Sequence, residues 1–220
     1  TAFIPVDPYS STIRMPYQQA GLSKEQAAAH LLNRFSFGIQ PGQINEVVKM
    51  GLEKWLQQQL EASLPDTELD KRLAGFDALK MSNEDIVNHY LNPAQIIRLG
   101  IQQKIIRNDS LSNTNREKYR QELAKVMRES VVKPVQELHR QLVNQKVLRA
   151  VYSNNQLKEV LTDFWFNHFN VSLTKGQSQQ YVMTYERDAI RPHVFGNFKN
   201  MLLATAKHPA MLEYLDNALS

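Results

Sequence analysis

The sequence predicts an all-α protein, a multi-helix globular array without a significant sheet. Apolar residues recur three and four positions apart in nearly every segment, which is the period of an amphipathic helix. No stretch alternates apolar and polar residues for long enough to form a convincing strand. With 220 residues, of which 42% are hydrophobic, the chain can bury a sizeable core. We therefore expect at least ten helices, counting short ones.

The N-terminal part of the chain divides into a lead-in and the start of a helical domain. Residues 1–22 are punctuated by prolines and are expected to be extended, whereas residues 23–220 are expected to form the helical domain. Ser23 and Gln26 have the spacing of a capping box, which satisfies the first free amides of a helix. Two further helices are expected on either side of Gly51, because glycine commonly ends a helix.

The central segments also carry clear helix boundaries. Ser82 and Asp85 have the spacing of a second cap. Asn92 and Pro93 should end one helix and start the next, because proline is favoured at the first helical position. A long basic stretch follows, and Pro134 is expected to break or bend its helix.

The chain carries a net charge of +4, and its basic residues are concentrated in one stretch. Between Arg98 and Arg149 there are 12 Lys/Arg and 5 Asp/Glu, a local excess of seven. Such a stretch could bind nucleic acid, anionic lipid or an acidic polymer. A solvated helix face with i,i+4 pairs is the favoured interpretation, and nucleic-acid binding is not expected, because no nucleic-acid-binding fold signature accompanies the charge.

Two classes of structure are excluded by composition and hydropathy. Cysteine is absent, which excludes disulfides and thiolate metal sites. No apolar run reaches the roughly 18 residues of a membrane span, so no transmembrane segment is expected.

One helix, expected from about Gln156 to Phe169, contains a histidine within an aromatic run. Its apolar face would be buried together with His168, and the opposite face, which carries Lys158, Glu159 and Thr162, would be solvated. We expect His168 to hydrogen-bond a polar group from residues 185–193 or 214–217. Such a histidine can be a satisfied core residue or part of a site, and both interpretations stay open. The aromatic residues expected in the core are Trp55, Phe164, Trp165 and Phe198.

A second polar concentration follows closely along the chain. Glu186, Arg187, Asp188, Arg191 and His193 lie within eight residues. Histidine and carboxylates are ligands for divalent metals, although the spacings match no dedicated helical metal motif. An arginine–carboxylate network that holds helices together would use the same residue types.

Four segments carry a family resemblance: AAHLLNRFSFG, VVKMGLEKWLQQQL, DFWFNHFNVS and IRPHVFGNFKNMLLATAKHPAMLEYLDN. In this order, from about Ser23 to Ser220, they resemble the bacterial family called domain of unknown function 1800 (DUF1800). The resemblance implies a mostly helical, exported protein, periplasmic or extracellular, and it supplies no reaction. It also implies a sulfatase-like partner encoded nearby.

The resemblance has two further implications. Family members usually continue past the YLDN segment, so we expect this chain to be the N-terminal portion of a longer protein, cut or processed. The C-terminal remainder would then be a partner and would cover apolar surface that this portion exposes. Six positions match the family's pattern without an established role: Asn167, His168, Arg191, His193, Asp216 and Asn217.

Two functions compete on this basis. The first is a ligand-binding, hydrolytic or metal-assisted site near His168. Asn167, Arg191 and His193 would be its other catalytic candidates, and a divalent metal its candidate cofactor. Asp188, Asp216 and Asn217 are the candidate binding residues. The alternative is a non-catalytic helical interaction module that docks a partner protein or an acidic polymer.

Overall fold

A computed structural model describes residues 13–107 and 116–217, and these residues are mostly helical. The prediction of an all-α fold with at least ten helices is confirmed. Residues 13–22 contain neither helix nor strand, and the rest of the predicted lead-in lies outside the described residues. The helices are α1 Lys24–Phe35, α2 Gln43–Met50, α3 Leu52–Glu61, α4 Thr67–Leu73, α5 Asn83–His89, α6 Pro93–Gln102, α7 Arg116–Glu129, α8 Val135–Tyr152, α9 Gln156–His168, α10 Ser178–Thr184, α11 Phe198–Lys207 and α12 Pro209–Tyr214.

Three short elements interrupt the α-helices. Residues Asp77–Lys80 and Arg191–His193 form 3-10 turns, and Tyr185–Ile190 is a π-helical segment directly after α10. Strands β1 (Tyr90–Leu91) and β2 (Lys133–Pro134) pair in parallel. This two-residue pairing is the only sheet in the described part of the chain, and it lies where Pro134 separates α7 from α8.

The predicted helix starts are confirmed at the level of individual hydrogen bonds. Ser23 and Ser82 each form a complete capping box, at the starts of α1 and α5. Asn92 does the same for α6, with Pro93 at the first helical position. Each cap satisfies backbone amides that a helix start leaves free, which is typically worth about 1 kcal/mol.

The apolar core consists of three clusters. The N-terminal cluster joins α1, α2 and α3 and includes the buried Trp55, as predicted. A second cluster joins α6 and α7, where Gly100 permits close approach because a Cβ atom at this position would lie 2.4 Å from Cγ2 of Val126. The largest cluster is built mainly from α8, α10 and the π-helical segment, with Tyr90 and Tyr185 fully buried.

A polar network connects β1 and α8 inside the molecule. The Tyr90 hydroxyl donates to Asp77 Oδ1 at 2.6 Å, and Gln141 Nε2 donates to the same oxygen at 2.8 Å. Lys133 pairs with the other carboxylate oxygen. Burial alone would raise the pKa of Asp77, but these hydrogen bonds hold it well below its ordinary value. The network is fully satisfied and therefore serves the fold.

Helix α9 spans the predicted residues, and its apolar residues Leu157, Leu161 and Trp165 are buried or pack against the core. The rest of the helix departs from the predicted orientation. Glu159 and Thr162, expected on the solvated face, are buried. Phe164 is 55% exposed, and His168 is exposed as well. The predictions that Phe164, His168 and Phe198 are buried are therefore wrong, and Trp165 is only half-buried. The physical reason is that Glu159 pairs with cations from neighbouring helices, which turns the polar face of α9 inward.

Candidate functional site

A largely buried arginine lies at the centre of the polar residues behind α9. Arg191 Nη1 donates to both carboxylate oxygens of Glu159, at 2.7 and 2.8 Å. Its Nη2 donates to Glu186 Oε1 at 3.0 Å. Hydrogen bonds between a guanidinium and a carboxylate are charge-assisted and are about twice as strong as those between neutral groups. Arg191 therefore ties α9 to the π-helical segment.

Helix α8 supplies the remaining cations. Lys146 Nζ lies 3.0 Å from Glu186 Oε2 and 2.9 Å from Asp163 Oδ1. Arg149 approaches Glu159 at 3.8 Å. We call this group the ion-pair cluster, and it contains three cations and three carboxylates: Lys146, Arg149, Glu159, Asp163, Glu186 and Arg191.

Neighbouring charges in the ion-pair cluster favour the ionised forms of Glu186 and Arg191. Burial alone would raise the pKa of Glu186, but the charges of Lys146 and Arg191 overcome it and lower that pKa below its ordinary value. Burial likewise opposes the charge of Arg191, and Glu159 with Glu186 raises its pKa. Glu186 is therefore a carboxylate near neutral pH and cannot act as a general acid there.

The local backbone explains how Glu186 reaches this position. It lies in the π-helical segment Tyr185–Ile190, whose wider turn departs from the α-helical spacing of α10. Such segments are rare and are frequently found at functional sites. The irregularity here serves to bring Glu186 and Arg191 to the same point between α8 and α9.

A cleft opens beside the ion-pair cluster. Its inner part is a cavity of about 180 Å³ lined by cluster residues together with Phe37 and Val147. Its outer part is a groove of about 620 Å³ between α9 and the end of α1. Phe37 and Asp163 line both parts, so the two form one continuous cleft. The Phe37 amide donates to Gln156 at 3.2 Å, which holds this aromatic residue against the start of α9.

The mouth of the cleft continues into exposed apolar residues. Phe164 and Trp165 have ring centroids 5.0 Å apart, and Trp165 and Phe198 have centroids 5.7 Å apart. Leu202 follows Phe198 by one turn of α11. We call this group the apolar surface, and its members are Phe37, Val147, Phe164, Phe198 and Leu202, each more than 40% exposed.

Three of the predicted site residues line the cleft. Arg191 lies at its inner end, whereas Asn167 and His168 line the outer groove. Asn167 donates to the backbone and side chain of Asp163, at 2.8 and 3.2 Å. His168 stacks on Phe164 with centroids 6.2 Å apart. Its ring makes no hydrogen bond with any described residue, so the predicted polar partner from residues 185–193 or 214–217 is absent from this part of the chain.

The other predicted site residues lie away from the cleft. His193 is half-buried in its 3-10 turn and does not line the cleft. Asp188 is exposed and pairs with Arg187 at 2.6 and 2.7 Å. Asp216 is exposed and pairs with Lys175 at 2.9 Å, and Asn217 beside it is also exposed. These four do not form a common site with His168.

Sequence reasoning missed the four residues that complete the ion-pair cluster: Lys146, Arg149, Glu159 and Asp163. A largely buried arginine requires carboxylate partners, but nothing in the spacing indicated that Glu159, 32 residues away from Arg191, is one of them. Within the described ranges, no group of three or more His, Asp or Glu side chains is arranged to hold a metal ion. Lys133, Lys146 and Arg149 pair internally, so part of the basic stretch is unavailable to an external polyanion.

These features define a helical protein in which an exposed apolar surface adjoins a partly buried ion-pair cluster. The chain belongs to the DUF1800 family: the family described as "Protein of unknown function (DUF1800)" matches residues 30–220. The predicted resemblance is thereby confirmed. No curated protein and no solved structure matches the chain significantly. No helix in the described ranges is both long and apolar enough to cross a membrane.

Proposed function

We propose that this chain is a helical interaction module whose apolar surface docks another polypeptide. The observation that carries the proposal is the outward apolar face of α9, which continues through Phe37 and Phe198 onto neighbouring elements. Contiguous exposed apolar residues with a polar rim mark protein interaction sites more often than isolated ones do.

The energetics favour docking over permanent exposure. Burying a large apolar side chain contributes roughly 1.5–3 kcal/mol relative to leaving it exposed. Three phenylalanines in one surface, Phe37, Phe164 and Phe198, would therefore contribute substantially to binding. Aromatic residues are also enriched among the residues that dominate interface energetics.

The ion-pair cluster supports this function by making the surface rigid. Glu159 and Asp163 hold α9 to α8 and to the π-helical segment, Glu159 through a largely buried charge pair and Asp163 through a partly exposed one. The backbone that carries Phe164 is therefore ordered before a partner arrives. A pre-organised surface loses less conformational entropy on binding.

Several finer expectations remain proposals. The partner can be a further portion of the same protein or a separate protein, and a sulfatase-like protein is one candidate that the resemblance implies. Export to the periplasm or the cell exterior is likewise proposed on the resemblance alone.

Crosslinking from the apolar surface tests the docking function. Because the chain has no cysteine, Phe164→Cys introduces a single thiol that can carry a benzophenone. In extracts of the cells that make the protein, we expect light to produce one dominant crosslinked polypeptide. The same label at Lys71→Cys, on exposed α4, should not produce it, and adding Phe37→Ser should weaken it. Equal crosslinking from both positions would contradict the proposal.

A ligand-binding or hydrolytic site near His168 is the second candidate. The observation in its favour is that Asn167, His168 and Arg191 line one cleft. Against it, Arg191 is committed to Glu159 and Glu186, and no described carboxylate orients His168 as a base. Loss of a hydrolytic activity in a normally folded His168→Gln protein would favour this candidate over docking.

A further inference from the structure

The charges around the apolar surface are unbalanced. Arg34 lines the outer groove, and Lys199 lies on the exposed side of α11 next to Phe198. Neither cation forms an ion pair with a described residue. Among the described residues, Asp163 is the only carboxylate that lines the cleft mouth, and Lys146 and Asn167 already engage it. A partner that buries this surface must therefore meet uncompensated positive charge.

The outer groove has the dimensions of a helix-binding site. Val160, Phe164 and His168 follow one another at intervals of one turn and span about 12 Å of α9, at 1.5 Å per residue. Phe37 forms the opposite wall together with the end of α1. The groove therefore offers apolar contacts along about two turns of a bound helix, which is how amphipathic helices are recognised by helix-in-groove proteins.

We infer that the occupant of this groove is an acidic amphipathic helix of a protein partner. The inference rests on the proposed docking function and specifies its partner. Apolar side chains of the helix would contact Phe37 and Phe164, and its carboxylates would face Arg34 and Lys199. Complementary charge of this kind speeds association and selects against basic competitors.

The shape of the surface favours a helix over an anionic membrane. The apolar residues near Arg34 line a groove between two elements, and a lipid surface does not enter such a groove. Vesicle binding is therefore the competing outcome of the test.

Two synthetic helical peptides test the inference. Both carry the same leucine stripe; one has glutamates beside it and the other has lysines. We expect the acidic peptide to bind at least about tenfold more tightly at low salt, with the advantage shrinking at high salt. Arg34→Glu should remove most of the advantage. Lys71→Glu, which changes the net charge equally but lies on α4, should leave most of it. Fluorescence anisotropy of labelled peptides measures both affinities.

The outcomes separate this inference from the docking function. If the wild-type protein binds both peptides equally and Phe164→Ser lowers the affinity for both, the surface docks helices. The inference that the partner is acidic would then be wrong. If neither peptide binds, the inference is overturned, and the crosslinking from Phe164→Cys decides the docking function independently. A third result would also overturn the inference of an acidic helical partner. In this result the protein binds phosphatidylserine vesicles through Phe164 and Arg34 and shows no preference between the two peptides.

Discussion

The two faces of α9 are used in opposite ways. One face carries Glu159 and Thr162, which are buried against α8 and the π-helical segment. The other carries Phe164 and His168, which are exposed. A helix at the surface of a globular protein normally has the reverse arrangement. The difference shows that partner charges elsewhere in the fold decided which face was buried.

The comparison separates what holds the fold from what is available for binding. A buried carboxylate is tolerated only when cations and hydrogen bonds satisfy it, and Glu159 receives both from Arg191. Phe164 receives no comparable cover within the described residues. Substitutions in the ion-pair cluster should therefore affect stability, whereas substitutions in the apolar surface should affect binding.

The largest expected effect is the loss of Arg191. Arg191→Met leaves Glu159 and Glu186 buried with fewer cations, and breaking a buried pair in this way costs about 3–5 kcal/mol. The free energy of unfolding in urea measures it. Arg140→Met is the matched control, because the Arg140–Glu137 pair is exposed and should contribute less than about 1 kcal/mol. Equal costs would show that the ion-pair cluster does not hold the fold.

The next effect compares two apolar residues of the same helix. Leu157 is buried, so Leu157→Ala should cost about 2–5 kcal/mol of unfolding free energy. Phe164→Ala removes a larger side chain, but from the exposed face, and should cost less than about 1 kcal/mol. Thermal denaturation of both variants checks this. A larger loss for Phe164→Ala would mean that the apolar face is part of the core.

Lowering the pH should reduce the stability that the charged face of α9 contributes, and it should not change the contribution of the apolar face. Because the pKa of Glu186 is below its ordinary 4.5, its contribution is present above pH 4.5 and is lost as pH falls further through the folded-state pKa. His208 contributes a separate loss of stability at low pH. Burial lowers its pKa from 6.5 to about 4, so the free energy of unfolding decreases as the pH falls from 6.5 to 4. That loss should be on the order of 2 kcal/mol.

Two variants separate these contributions. His208→Asn keeps a side chain that can cap α12, and should remove the share of His208 in the dependence between pH 6.5 and 4. His139, whose pKa burial also lowers, keeps its own share. Phe164→Ala should retain the full dependence of the unfolding free energy on pH. If Phe164→Ala reduced the dependence of the unfolding free energy on pH, the two faces of α9 would be coupled.

The smallest expected effect is at His168. His168→Gln should change the unfolding free energy by less than about 0.5 kcal/mol, because the ring is exposed and makes no hydrogen bond with a described residue. Urea denaturation at pH 7 measures it. A cost above about 2 kcal/mol would restore the buried role that the sequence indicated.

The sequence by itself determined the fold class and most helix boundaries. Capping residues such as Ser23, Ser82 and Asn92 act within one turn, and Pro134 acts on its own backbone. These are local interactions, so their pattern can be read along the chain. The buried position of Trp55 also followed from helical spacing, because no charge on its helix competes for the interior.

Only the tertiary structure decided the orientation of α9 and the membership of the candidate site. Periodicity identifies the apolar face of a helix, but it does not show that Glu159 will meet a cation 32 residues later in the chain. Pairing Glu159 with Arg191, and Asp163 with Lys146, left Phe164 and His168 exposed, whereas Trp165 and Phe166 pack against the main core. The physical reason is that turning Glu159 to solvent would leave Arg191 with fewer carboxylate partners, which costs more than exposing a phenylalanine.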